Sequence, residues 1–172
     1  APTSFNQNFD MDIAISKYQD FIGSGDYHYF MGRVIFTKGG GIYGFFCAQQ
    51  CIENYLKAYV IYKTGSLTRS LINNFSHNLY KWLNHCRSIA PKKSFIHTKR
   101  AELIITKYDP FNELPRYPVS KRGIQGGNFG YLQPHDIYPL DYFIFRLRKE
   151  MPLPNGVWDI LGDGRPYWAS SL

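Results

Sequence analysis

Residues 42–63, fenced by glycines at 39–41 and by Gly65, constrain the fold of this chain more than any other stretch. Phe45, Ala48, Ile52, Leu56 and Tyr59 recur at helical spacing, which predicts a helix with one apolar stripe turned to a core. The flanking glycines punctuate both of its ends. Gln50, Glu53, Asn54 and Lys57 recur at i, i+3, i+4 and i+7, so a polar stripe runs along another face. Amides, a carboxylate and an ammonium in one row suit a polar ligand. They equally suit a solvated face, on which Glu53 four residues before Lys57 forms a helix ion pair worth roughly 0.3–0.5 kcal/mol.

The rest of the chain reads as helices of shorter reach. Residues 12–21 have the pattern of a short helix broken by Gly23-Ser-Gly25, after which Asp26 caps a helix to about residue 37. Tyr29, Phe30, Val34 and Ile35 are its inward residues, and Arg33 lies close to its polar side. A helix from Ser76 or His77 to about 88 presents Leu79, Trp82 and Leu83. Another covers 95–108 with Leu103, Ile104 and Ile105, and a last one covers 139–151. Residues 109–135 are crowded with Pro and Gly, as functional or flexible loops are. Residues 1–11 read as an irregular lead-in. The expectation is an all-α, antiparallel up-and-down bundle of about five helices over 12–151, with an irregular C-terminal strap over 152–172, in a single domain.

Bulk properties narrow the function. At 172 residues, 44% hydrophobic and 19% charged, the chain is the size and composition of one globular domain. Its 14 Tyr and 13 Phe suit amphipathic surfaces and self-association. A net charge of +7 and a pI near 9.3 favour anionic partners such as nucleotides or RNA. No uninterrupted apolar run reaches the ~18 residues of a membrane span. The N-terminal stretch lacks a basic region followed by an apolar core, so no signal peptide is expected and the location expected is cytoplasmic. An odd count of three cysteines argues against a disulfide framework. Cys47 and Cys51 sit one turn apart but lack a second spaced pair, so buried thiols and no metal are expected. No cofactor is expected.

Catalytic signatures are sparse. There is no Gly-x-Ser-x-Gly, no His-Glu-x-x-His and no paired acidic motif suited to a divalent metal. The run from Gly123 to Gly130 is Gly-rich but lacks the Gly-Lys-Ser/Thr of a P-loop. His77 has two readings, an acid–base group or a helix-start residue bonded to the central helix. Basic residues form three clusters: Lys92, Lys93, Lys99 and Arg100; Arg116, Lys121 and Arg122; Arg146, Arg148 and Lys149. A long loop folded back over the central helix would bring Arg116 and Tyr117 to Gln50, Glu53 and Lys57.

The run Phe46-Cys-Ala-Gln-Gln-Cys-Ile-Glu-Asn-Tyr-Leu-Lys-Ala58, then Gly65, then His77-Asn-Leu79, resembles the HEPN domain (higher eukaryotes and prokaryotes nucleotide-binding). Asp26-Tyr-His-Tyr-Phe-Met-Gly-Arg33 resembles its first helix, and Arg116-Tyr-Pro118 the short motif before its last one. The resemblance spans roughly residues 12–150. It implies an antiparallel helical bundle, often dimeric, and three kinds of activity: nucleotide binding, RNase toxin action in toxin–antitoxin pairs, and docking onto nucleotidyltransferases. Its RNase members carry an Arg followed after four to six residues by a His. Here Arg69 precedes His77 by seven intervening residues, Arg87 precedes His97 by nine, and His97-Thr-Lys-Arg100 runs in reverse order. The reading carried forward is a non-catalytic homodimer that binds a nucleotide or RNA phosphate through Gln50, Glu53, Lys57, His77, Arg116 and Tyr117. The alternatives are a degenerate, metal-independent ribonuclease using His77, and a docking partner of a nucleotidyltransferase.

Overall fold

In a computed structural model, residues 18–38, 41–113 and 134–151 are described, and all their regular structure is helical. Six α-helices follow in order: α1 (Tyr18–Thr37), α2 (Ile42–Thr64), α3 (Arg69–Phe75), α4 (Leu79–Ile89), α5 (Lys99–Tyr108) and α6 (Tyr138–Glu150). Short 3-10 turns precede α5 and α6 and follow α5. No helix among the described residues is long and apolar enough to cross a membrane. The lead-in, the strap at 152–172 and most of the Pro/Gly-rich loop lie outside the described residues.

The central helix matches its expected span and buries all of Phe45, Ala48, Ile52, Leu56 and Tyr59. It ends where Gly65 takes φ 84° and donates its N–H to the Ile61 carbonyl at 2.7 Å.

α1 corrects the reading of its glycines. The helix is continuous through Gly23 and Gly25, so Asp26 is no N-cap but a fully enclosed residue in mid-helix. Gly25 is there for contact: a Cβ on it would sit 2.6 Å from the Tyr55 ring. A Cβ on Gly44 would run into the Phe36 ring in the same way. Because Gly25 meets Tyr55 while Phe36 meets Gly44, α1 and α2 run antiparallel at close range. The inward set on α1 also changes. Tyr29 is buried, Ile35 is half-buried, and Phe30 and Val34 face outward. The buried positions Ile22, Gly25, Asp26, Tyr29, Gly32 and Phe36 trace the true stripe, one that small and polar residues conceal from hydrophobic periodicity.

Elsewhere, side-chain caps set the boundaries. Thr68, Asn78 and Thr98 accept from Leu71, Lys81 and Ala101 backbone N–H groups at 3.0–3.2 Å, starting α3, α4 and α5. The helix expected over 95–108 is therefore two pieces, a 3-10 turn at Phe95–His97 capped by Ser94 and then α5. The helix expected from residue 76 or 77 starts at Leu79, because Ser76 terminates α3 with a positive φ of 47°. Leu79, Trp82 and Leu83 are buried, as are Ile104 and Ile105, whereas Leu103 is exposed.

Candidate functional site

The corner at Ser76 delivers His77 to the middle of α2. Trp82 of α4 fixes that corner by donating its indole N–H to the Ser76 carbonyl at 2.9 Å. His77 Nδ1 then lies 3.0 Å from Glu53 Oε2, while Lys57 Nζ donates to Oε1 of the same carboxylate at 2.6 Å. Glu53 is 2% exposed. The solvated-face reading of the polar stripe fails at this residue, since the Lys57 and His77 side chains fold over its carboxylate.

Gln49 supplies the inner half of the site. Fully buried, it donates to the His77 carbonyl at 3.0 Å and to Glu53 Oε2 at 3.4 Å, and accepts from the Gln50 amide at 2.6 Å. Asn54 turns aside and bonds to the Gln50 carbonyl. The Lys57 ammonium also lies 5.5 Å from the centre of the Trp82 ring. Gln50, Glu53, Lys57 and His77 are thus brought together, and Arg116 and Tyr117 lie outside the described residues. Gln49 and Trp82 were missed. The signal for Gln49 was an amide four residues before Glu53 on the core side.

The chemistry open to this cluster follows from its donors and acceptors. An ionised carboxylate only accepts, so Nδ1 carries the proton that bridges to Glu53. The His77 side chain is 45% exposed, so its ring edge stays open to a ligand. Lys57 and Glu53 neutralise one another, which leaves little net charge to hold a phosphate. No arginine among the described residues is bonded to His77.

Two further ion networks tie α1 to α6 through the core. Arg148 donates to Asp26 at 3.1 Å, and the Tyr55 hydroxyl donates to the same carboxylate. Asp141 accepts from Tyr29 at 2.6 Å and pairs with Arg33, whose Nε donates to the Tyr29 hydroxyl at 2.7 Å. Burial, and then the Asp26 charge, pushes the Tyr55 hydroxyl far above its usual range. Burial, then Asp26 and Asp141, does the same to the Cys51 thiol. All three cysteines are free and buried, and among the described residues no group of three or more His, Cys, Asp or Glu could hold a metal.

The basic clusters converge elsewhere. Lys63, Lys93, Arg146 and Lys149 line a cavity of about 580 Å³ between the end of α2, the turn before α5, and α6. Among the described residues its one carboxylate, Glu150, faces inward: it accepts from Ser94 at 2.6 Å, from the Phe95 N–H at 2.7 Å and from Tyr59 at 3.2 Å. Burial, offset in part by Ser94 and reinforced by Glu150, raises the Tyr59 hydroxyl to about 12. None of the four cations has an ion-pair partner among the described residues. A second cavity of about 640 Å³ adjoins the first across Tyr142 and holds Arg100 and Lys107. Arg148, grouped with this cluster by sequence, points into the core instead.

No family model, curated protein or solved structure matches this chain.

Proposed function

We propose that this chain is a HEPN-type helical module that binds the phosphate of a nucleotide or of RNA and performs no catalysis of its own. The observation that carries the reading is the set of cations at Lys63, Lys93, Arg146 and Lys149, whose only neighbouring carboxylate among the described residues is consumed by backbone and hydroxyl donors. Phosphate binding needs donors not already satisfied within the fold, and a guanidinium offers them as a rigid fork. The Gln50–Glu53–Lys57–His77 cluster has its charge balanced internally, so it joins α2 to the corner before α4 and leaves the phosphate to the cations. A thermal-shift panel of ATP, GTP and a short RNA tests this. Ligand binding to the folded chain raises the melting temperature. A rise lost in Arg146→Gln/Lys149→Gln and kept in Lys57→Ala supports the reading, and no rise with any ligand removes it. RNA cleavage abolished by His77→Ala would replace it with the ribonuclease alternative.

A second reading, a homodimer or a docking partner of a protein such as a nucleotidyltransferase, draws on a different face. Tyr27, Phe30 and Val34 lie at i, i+3 and i+7 on α1 with 57%, 53% and 39% of their surfaces open. Sedimentation equilibrium reads self-association directly: a dimer favours a homodimeric module, and a monomer leaves this face to another partner.

A further inference from the structure

The two cavities differ in a way that selects among phosphate ligands. The one at Lys63 and Lys149 is rimmed by cations. The one beyond Tyr142 also holds Arg100, Lys107 and His135, but Arg100 lies over the Tyr142 ring and Lys107 donates to Asp136 at 2.9 Å, which leaves a floor of Leu103, Ile104 and Pro139 with Tyr138 at its edge. Between them Tyr142 carries the Arg100 guanidinium 3.8 Å from its ring centre, and its hydroxyl accepts from Arg146 at 3.0 Å.

Each cavity falls within the size range of a small-ligand site, so one nucleotide would leave the other empty. Along α6 the distance from Tyr138 to Lys149 is about 16 Å at 1.5 Å per residue. That length accommodates several nucleotides at the roughly 3.4 Å spacing of a stacked strand. A duplex offers phosphates to the cationic cavity but keeps its base faces stacked away from the apolar one. Inorganic polyphosphate has no flat apolar face at all. A flexible strand satisfies both halves, with bases laid on aromatic or guanidinium planes and phosphates on the cations.

We infer that this face binds single-stranded nucleic acid, seating a base against Tyr138 and Leu103 while the adjoining phosphates cross Tyr142 onto Arg146 and Lys149. The inference rests on the phosphate-binding reading above and adds the base. It makes the site strand-selective, whereas the cations alone would make it charge-selective.

Fluorescence anisotropy on the full chain separates these. The probes are a labelled single-stranded oligoribonucleotide of about ten residues, the same sequence paired as a duplex, and inorganic polyphosphate. Wild type is expected to bind the single strand most tightly. Tyr138→Ala is expected to weaken the single strand about tenfold and leave polyphosphate unchanged. Arg146→Gln/Lys149→Gln is expected to weaken all three and to lower the salt slope by about 2, roughly one for each phosphate no longer neutralised. Tyr138 and Leu103 are 49% and 58% exposed, so these variants keep the fold, and Leu103→Glu serves as a second test of the apolar floor. Equal affinity for duplex or polyphosphate, or no response to Tyr138→Ala and Leu103→Glu, overturns the base site while leaving phosphate binding in place. Absence of binding by every probe overturns both.

Discussion

The Glu53 cluster and the α5–α6 face are built from the same kinds of residue and use them in opposite ways. At Glu53 every charge is answered inside the chain: the carboxylate meets Lys57, His77 and Gln49, and Lys57 also covers Trp82. On the face around Tyr142 the Glu150 carboxylate is drawn inward by Ser94 and Phe95, and Lys63, Lys93, Arg146 and Lys149 have no carboxylate partner among the described residues, with Lys63, Arg146 and Lys149 lying over aromatic rings instead. Charged residues therefore report function only once their partners are known. A cluster that consumes its own charges holds helices together, and one that does not is available to a ligand.

Charge removal should separate the two regions by what is lost. The largest effect is expected at the enclosed network of Asp26, Tyr55 and Arg148, on the far face of α2 from Glu53. Asp26→Ala removes the carboxylate that Arg148 and Tyr55 share in an enclosed site, and should cost about 3–5 kcal/mol. In a chain of this size that lowers the melting temperature by about 10 °C, readable by circular dichroism. A change of a degree or two would mean that Arg148 finds water or another acceptor. Glu53→Gln comes next, at about 2 kcal/mol, because Lys57 and His77 both reach solvent once released. Its nucleic-acid affinity should stay at the wild-type level, and a tenfold loss would return the ligand to the polar stripe. The smallest effect on stability belongs to Arg146→Gln/Lys149→Gln, within about 0.5 kcal/mol of wild type by urea denaturation. Should that variant unfold early, its cations would be structural and the contrast between the regions would disappear.

How much of this was legible beforehand depended on whether the deciding contact was local. The central helix could be read to within a residue because its apolar stripe and terminal glycines lie in one window. α1 was divided wrongly because Gly25 and Asp26 resemble a break and a cap, and their actual partners, Tyr55 and Arg148, are distant in sequence. α3 is only seven residues long, and its half-buried Leu71, Ile72 and Phe75 span a single turn, too short a run to announce a helix. The Glu53–Lys57 pair was visible in the spacing, but its burial depends on His77 arriving from 24 residues away. Likewise the basic clusters were evident one by one. Their meeting around Tyr142, and the withdrawal of Arg148 from them, are properties of how α5 and α6 pack.

The positions of the acids have a consequence of their own. Asp26, Glu53, Asp109 and Asp141 are all interior, while Arg148 is the only cation enclosed to the same degree among the described residues. Four of the nine described acids are thus held inside, whereas all but one of the described lysines and arginines lie toward the surface. A polyanion at a distance responds to the net +7, but one in contact meets some cations already paired at the surface, as Lys107 is with Asp136, and others with no carboxylate among the described residues, as at Lys149. Approach and grip then depend on different parts of the charge distribution. Added salt should slow the first moderately and weaken the second more than the net charge alone suggests.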